Sequence, residues 1–102
     1  MKILLVCAGG MSTSLVMKKI CAAFGEDEAD WSVNADSVEN LEQIIDDYDV
    51  ILLGPQIGYK KNKLLEIANK KNKPLDVMSP MDYGMGNGAN ILKQIKMMIV
   101  NK

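Results

Sequence analysis

The sequence predicts an α/β fold: a single domain, residues 1–102, with a four-stranded parallel sheet in the order 2-1-3-4 and helices on both faces. Short apolar runs recur along the chain, each is followed by a segment of helical periodicity, and this alternation repeats four times. A chain of 102 residues fits one compact unit with a radius of gyration of about 13 Å. Strand-helix alternation of this kind implies parallel strands joined by right-handed crossovers.

The first strand is read at residues 2–6 and the third at 49–53, both continuous apolar runs of the kind buried on two faces of a parallel sheet. Residues 31–35 and 75–78 alternate more and suit the two edges. The first helix is predicted over about residues 12–24, with Val16, Met17, Ile20, Ala23 and Phe24 on its inner side and Gly25 as a left-handed cap. The second begins at Asp36, where Glu39 three residues on suggests a capping box, and turns Val38, Leu41, Ile44 and Ile45 inward. A third, about residues 60–71, buries Leu64, Ile67 and Ala68. The last, about 88–100, shows Ile91, Ile95, Met98 and Ile99 at helical spacing.

Composition removes most catalytic sets. All twelve basic residues are lysines, so the chain has neither arginine nor histidine. Ser-His-Asp and Cys-His pairs, histidine metal sites and bidentate arginine clamps are therefore excluded, and neither a metal nor a cofactor is expected. The longest apolar stretch, residues 3–8, is far short of the roughly 20 residues that cross a bilayer. It is also shorter than a secretory leader's apolar core of about 7–15 residues. With two cysteines, Cys7 and Cys21, and no disulfide or metal-finger spacing, the expected setting is the cytoplasm, without membrane insertion. Residues 26–49 hold ten acidic residues and no lysine, whereas residues 60–73 hold six lysines against Glu66. Such asymmetry can steer partners, but solvated helix faces explain it as well. Nucleic acid is not an expected partner, since the net charge is -1 and no aromatic residues interleave the lysines.

In a doubly wound sheet, ligands bind beyond the carboxyl ends of the strands where the order reverses, here between strands 1 and 3. Two loops should face each other there: residues 7–13, and Gly54-Pro55-Gln56-Ile57-Gly58. The first reads Cys7-Ala8-Gly9-Gly10-Met11-Ser12-Thr13 and opens a helix. Gly9 and Gly10 permit a backbone nest of N–H groups, and the helix N-terminus adds about half a positive charge. These groups would favour a thiolate at Cys7 and cradle a phosphoryl group bonded to it. A buried structural cysteine before a tight turn is the plainer alternative. Cys-x5-Arg is the loop of the protein tyrosine phosphatases, but here Thr13 stands where arginine is required. Without that clamp the loop suits holding and passing on a phosphoryl group better than hydrolysing it. Asp82, a candidate general acid, is more readily a turn or cap residue.

Taken together, Cys7 with Gly10-Met11-Ser12-Thr13-Ser14, then Leu53-Gly54-Pro55-Gln56-Ile57, Asn72-Lys73-Pro74 and Tyr83-Gly84 resemble the lactose/cellobiose (chitobiose) class of enzyme IIB components of the phosphoenolpyruvate-dependent sugar phosphotransferase system. The resemblance runs over essentially the whole chain. It implies a fold similar to that of the low-molecular-weight tyrosine phosphatases, and a cytosolic carrier whose Cys7 takes a phosphoryl group from a phosphohistidine on enzyme IIA. The group then passes to a sugar held by membrane enzyme IIC. The implied phosphate cradle is the backbone of Ala8, Gly9, Gly10, Met11, Ser12 and Thr13. A small cysteine-dependent phosphatase and a non-catalytic α/β binding module are the alternatives.

Other residues have lesser expectations. Gln56 would lie opposite Cys7 and donate to a phosphoryl oxygen, or merely shape the turn. Tyr83 would close the pocket's edge, or simply pack with its hydroxyl in water. Met11, Met81 and Met85 are read as a docking rim, and Met17, Met97 and Met98 as core filling. Cys21, about 13 Å along the first helix, is read as structural and beyond disulfide reach of Cys7.

Overall fold

The sheet runs β2-β1-β3-β4 with every pairing parallel, as predicted. The computed structural model describes residues 1–7 and 13–100, and residues 8–12 of the cysteine loop lie outside that set. The strands are β1 (Lys2–Cys7), β2 (Ser32–Ser37), β3 (Val50–Leu53) and β4 (Leu75–Val77). The helices are α1 (Thr13–Ala22), α2 (Leu41–Ile44), α3 (Lys61–Lys70), α4 (Pro80–Met85) and α5 (Gly88–Val100). A radius of gyration of 12.3 Å matches the compact size expected from the chain length.

The alternation of β1 builds two cores. Ile3 and Leu5 point to one face and pack with Val16 and Ile20 of α1 and Ile91 and Ile95 of α5. Leu4 and Val6 point to the other and pack with Leu41 of α2, Ile45, and Leu64 and Ala68 of α3. Each fully buried Leu or Ile contributes about 1.5–3 kcal/mol, so the two central strands, buried along nearly all their length, carry much of the stability.

Several local expectations are corrected. α1 stops at Ala22 and unwinds through tighter bonds from Ala23 N to Ile20 O and Phe24 N to Cys21 O. Gly25 is extended (φ -108°, ψ -160°), not left-handed, and opens a 3₁₀ turn, Glu26–Glu28. Asp36 lies in β2 rather than capping a helix: its carboxylate accepts from Ser37 N and Asn40 Nδ2. Ser37 is the cap instead, accepting from Glu39 N at 3.4 Å. The second helix is broken into a 3₁₀ turn (Val38–Asn40), α2 and another 3₁₀ turn (Ile45–Asp47). Besides the Glu26–Glu28 turn, two helical segments were not foreseen, the 3₁₀ segment Pro55–Lys60 and α4, each opened by proline. Met97 is exposed rather than core, while Met78 is fully buried.

Glycine and asparagine set the remaining geometry. Asn72 adopts φ 57° and ends α3, where Lys73 N donates to Ala68 O. Pro74, which lacks a donor, then leads into edge strand β4, so Asn-Lys-Pro is a helix stop followed by a strand entry. Gly88 lies where α5 meets α1: a Cβ there would sit 2.0 Å from the Lys19 carbonyl oxygen. Along the outer side of β4, Val77 N donates to Asp76 Oδ1 at 2.8 Å, and Val77 O accepts from Gln94 Nε2 at 3.0 Å.

Candidate functional site

Cys7 ends β1, the strand at which the sheet order reverses, and is 2% exposed. It lies opposite Ser37 of β2 in register. Six residues later Thr13 opens α1, with no acidic side chain in its first turn and Lys19 in its last. The N-terminus of α1 is thus brought to the same sheet edge as Cys7 with no carboxylate on it to oppose an anion. Of the predicted cradle, Ala8, Gly9, Gly10, Met11 and Ser12 lie outside the described residues, and Thr13 is described only as the first residue of α1.

The second predicted loop does reach Cys7. Gly54 N donates to Val6 O at 2.8 Å, carrying the β1–β3 ladder past the end of β3. A Cβ built on Gly54 would lie 3.7 Å from Cys7 Cβ and 2.7 Å from Gln56 Oε1. Gln56, although exposed, therefore folds its amide back over Gly54, at the spot whose other side-chain neighbour is Cys7. The doubly wound order thus brings the loop after β3 to the end of β1. Gly54 was read only as part of this loop and given no role of its own; its position directly after strand 3 was the signal.

Tyr83 is in α4, half-buried and packed against the core between the sheet and α1/α5. Asp82 lies in the first turn of α4 and ties that helix to α5: its side chain accepts from Asn90 Nδ2 at 3.2 Å and its carbonyl from Asn87 N at 2.8 Å. Asp82 also lines a groove of about 760 Å³ between the β4 edge, α3 and α5, which includes neither Cys7 nor Gln56.

Large apolar side chains stand in solvent at the edge where Cys7 lies. Leu15 is in the first turn of α1, Tyr59 follows β3, and Met81 and Met85 of α4 follow β4, the last two 70% and 71% exposed. Cys7 and Cys21 form no disulfide, and Cys21 is exposed on α1. No helix among the described residues is long and apolar enough to cross a membrane.

Fold and site together define a doubly wound α/β protein with Cys7 at the carboxyl end of the first strand, built on the architecture shared with low-molecular-weight tyrosine phosphatases. A model of the family described as "PTS system, Lactose/Cellobiose specific IIB subunit" matches residues 2–94. The chain belongs to this family and is a IIB component of the phosphotransferase type. It is 35% identical to the "PTS system oligo-beta-mannoside-specific EIIB component" of Bacillus subtilis (strain 168), over 99% of this chain and 98% of that protein. The solution structure of the cellobiose-specific phosphotransferase IIB component protein from Borrelia burgdorferi is similar at TM-score 0.81 and 34% identity, covering 100% of this chain and 94% of that one. The lactose-specific IIB component domain from Streptococcus pneumoniae shares the fold at TM-score 0.83 and 19% identity, over 96% of both chains.

Proposed function

We propose that this chain is the phosphocarrier between enzyme IIA and the membrane component IIC of a sugar phosphotransferase system, with Cys7 as its nucleophile. The observation that carries this reading is the position of Cys7 at the carboxyl end of β1, ahead of the N-terminus of α1 and beside Gly54, over which the Gln56 amide folds. In the first step the Cys7 thiolate attacks the phosphorus of a phosphohistidine in line. The S–P bond forms as the N–P bond breaks, and the imidazole nitrogen keeps the electron pair. In the second step a sugar hydroxyl oxygen attacks the same phosphorus. The O–P bond forms, the thiolate leaves with the S–P pair, and the hydroxyl proton passes to a base outside this chain. Backbone N–H groups of residues 8–13 and the α1 terminus hold the phosphoryl oxygens, with the Gln56 amide as a further donor and Tyr83 beside the edge. Catalysis is then positioning and charge stabilisation.

The relatives' names specify different sugars: oligo-beta-mannoside, cellobiose and lactose. We assign the acceptor to this oligosaccharide type and place the choice within it on IIC. Leu15, Tyr59, Met81 and Met85 supply an adaptable apolar rim on which IIA and IIC dock in turn at the cytoplasmic side of the membrane.

Incubation with phosphoenolpyruvate, the general phosphotransfer proteins and enzyme IIA should add one phosphoryl mass to the chain, on Cys7. Cys7→Ser should fold as the parent does and gain none. Labelling of that variant, or rapid turnover of an aryl phosphate by the parent, would count against the carrier.

A further inference from the structure

We infer that Gly54 is a positioning residue for phosphoryl transfer, its missing side chain keeping open the space in which the Gln56 amide lies beside Cys7. The inference rests on the phosphocarrier reading and extends it to a residue with no chemistry of its own.

Gly54 has no need of glycine's backbone freedom. Its φ of -64° and ψ of 148° suit any residue. Nor can its backbone easily retreat, because Gly54 N is bonded to Val6 O at 2.8 Å and Gly54 O accepts from Ile57 N at 3.1 Å. What singles the position out is space. An added Cβ would meet Val6 O at 3.5 Å and Cys7 Cβ at 3.7 Å, both ordinary contacts, but Gln56 Oε1 at 2.7 Å, which is not tolerated. The forbidden contact is thus with the end of a flexible, exposed side chain, and moving that side chain relieves it. Any residue larger than glycine would leave β1 and β3 in place and displace the amide.

The amide is suited to this chemistry. A carboxamide carries two N–H donors and no charge, so it can hold a phosphoryl oxygen without the cationic clamp that favours hydrolysis in arginine-bearing loops. In a chain with no arginine and no histidine, a neutral donor on the loop that meets Cys7 complements the backbone cradle.

The test is a double-mutant cycle on the transfer rate from phosphorylated enzyme IIA to Cys7, with Gly54→Ala, Gln56→Ala and the pair combined. Each single change should slow transfer on the order of tenfold, the effect of one hydrogen bond to a charged group. The double variant should be no slower than the slower single, because both remove the same contact. Unfolding midpoints should be unchanged, which separates loss of positioning from loss of structure. Wild-type transfer by Gly54→Ala, losses that multiply in the double variant, or a folding defect of Gly54→Ala that Gln56→Ala does not repair would overturn the inference. Absence of label on the parent protein would overturn the carrier reading and this inference with it, and is recognisable because no variant is then labelled.

Discussion

Glu28 is the buried charged residue among the described ones, 4% exposed, and the sequence placed it in an acidic stretch with no readable role. Its carboxylate pairs with Lys96 of α5 through Oε1 and accepts from Gly25 N at 3.3 Å through Oε2. The hydrogen bond from Lys96 is the main cause that holds the carboxyl below the ordinary glutamate value of 4.5, and burial opposes it. A depressed folded-state value means that the pair's stabilisation is complete above about pH 4.5 and is lost as pH falls through the lower folded-state value. Glu28→Gln should therefore lower the urea midpoint at pH 7 and flatten its decline under acid, with a residual slope from Asp36, whose carboxyl is lowered by Asn40 and Ser37 N. Parallel pH profiles for parent and variant would show that the pair contributes nothing. No sequence rule reveals this pairing, since it joins a short loop to the far end of the chain and depends on how α1 and α5 pack.

The elements themselves were far more legible, because strand burial and helical periodicity are properties of neighbours in sequence. Residues 2–6 and 49–53 announced central strands by continuous apolarity, and the edges at residues 31–35 and 75–78 by its dilution. Failures cluster at element ends. Asp36 offered a helix cap, but pairing of β2 with β1 out to Ser37 claimed its backbone for the sheet. Gly25 offered a left-handed stop, but the 3₁₀ turn that buries Glu28 required an extended residue. At the site, the switch-point argument brought the loop after β3 to the end of β1, whereas the space at Gly54 is a matter of ångströms that spacing does not encode. The α1–α5 crossing was equally hidden. A Cβ at Gly88 would also lie 2.3 Å from Lys19 C and 2.8 Å from Ile20 N. These are backbone atoms, so relief requires the helices to separate. Gly88→Ala should destabilise the fold by about 3 kcal/mol, measured as a shift in denaturant midpoint. A change within error would mean that the two helices do not touch at that residue.

Over the molecule as a whole, charge and apolar surface are arranged differently from each other. The acidic and lysine-rich segments meet at one pair, Lys71 with Asp46 at 3.5 Å, while Lys61 of the lysine-rich segment pairs with Asp76 of β4 at 3.3 Å. Both pairs are partly solvated, and such pairs stabilise by no more than about 1 kcal/mol. The large exposed apolar side chains of α1, α4 and the segment after β3 instead share the edge of the proposed chemistry. Replacing Met81 and Met85 together by glutamine should raise the KM for phosphorylated enzyme IIA and leave the unfolding midpoint unchanged, since both side chains already stand in water. An unaltered KM would remove α4 from the docking surface.

The far edge of the sheet serves a different end. Val77's outward N–H and C=O are already taken by Asp76 and Gln94, so another chain adding a strand to β4 would have to break both bonds before forming its own. Chance collisions between copies in a crowded solution consequently find little to zip onto along that strand. For the proposed carrier, which would leave one partner to reach the next, a border that resists polymerisation is an advantage.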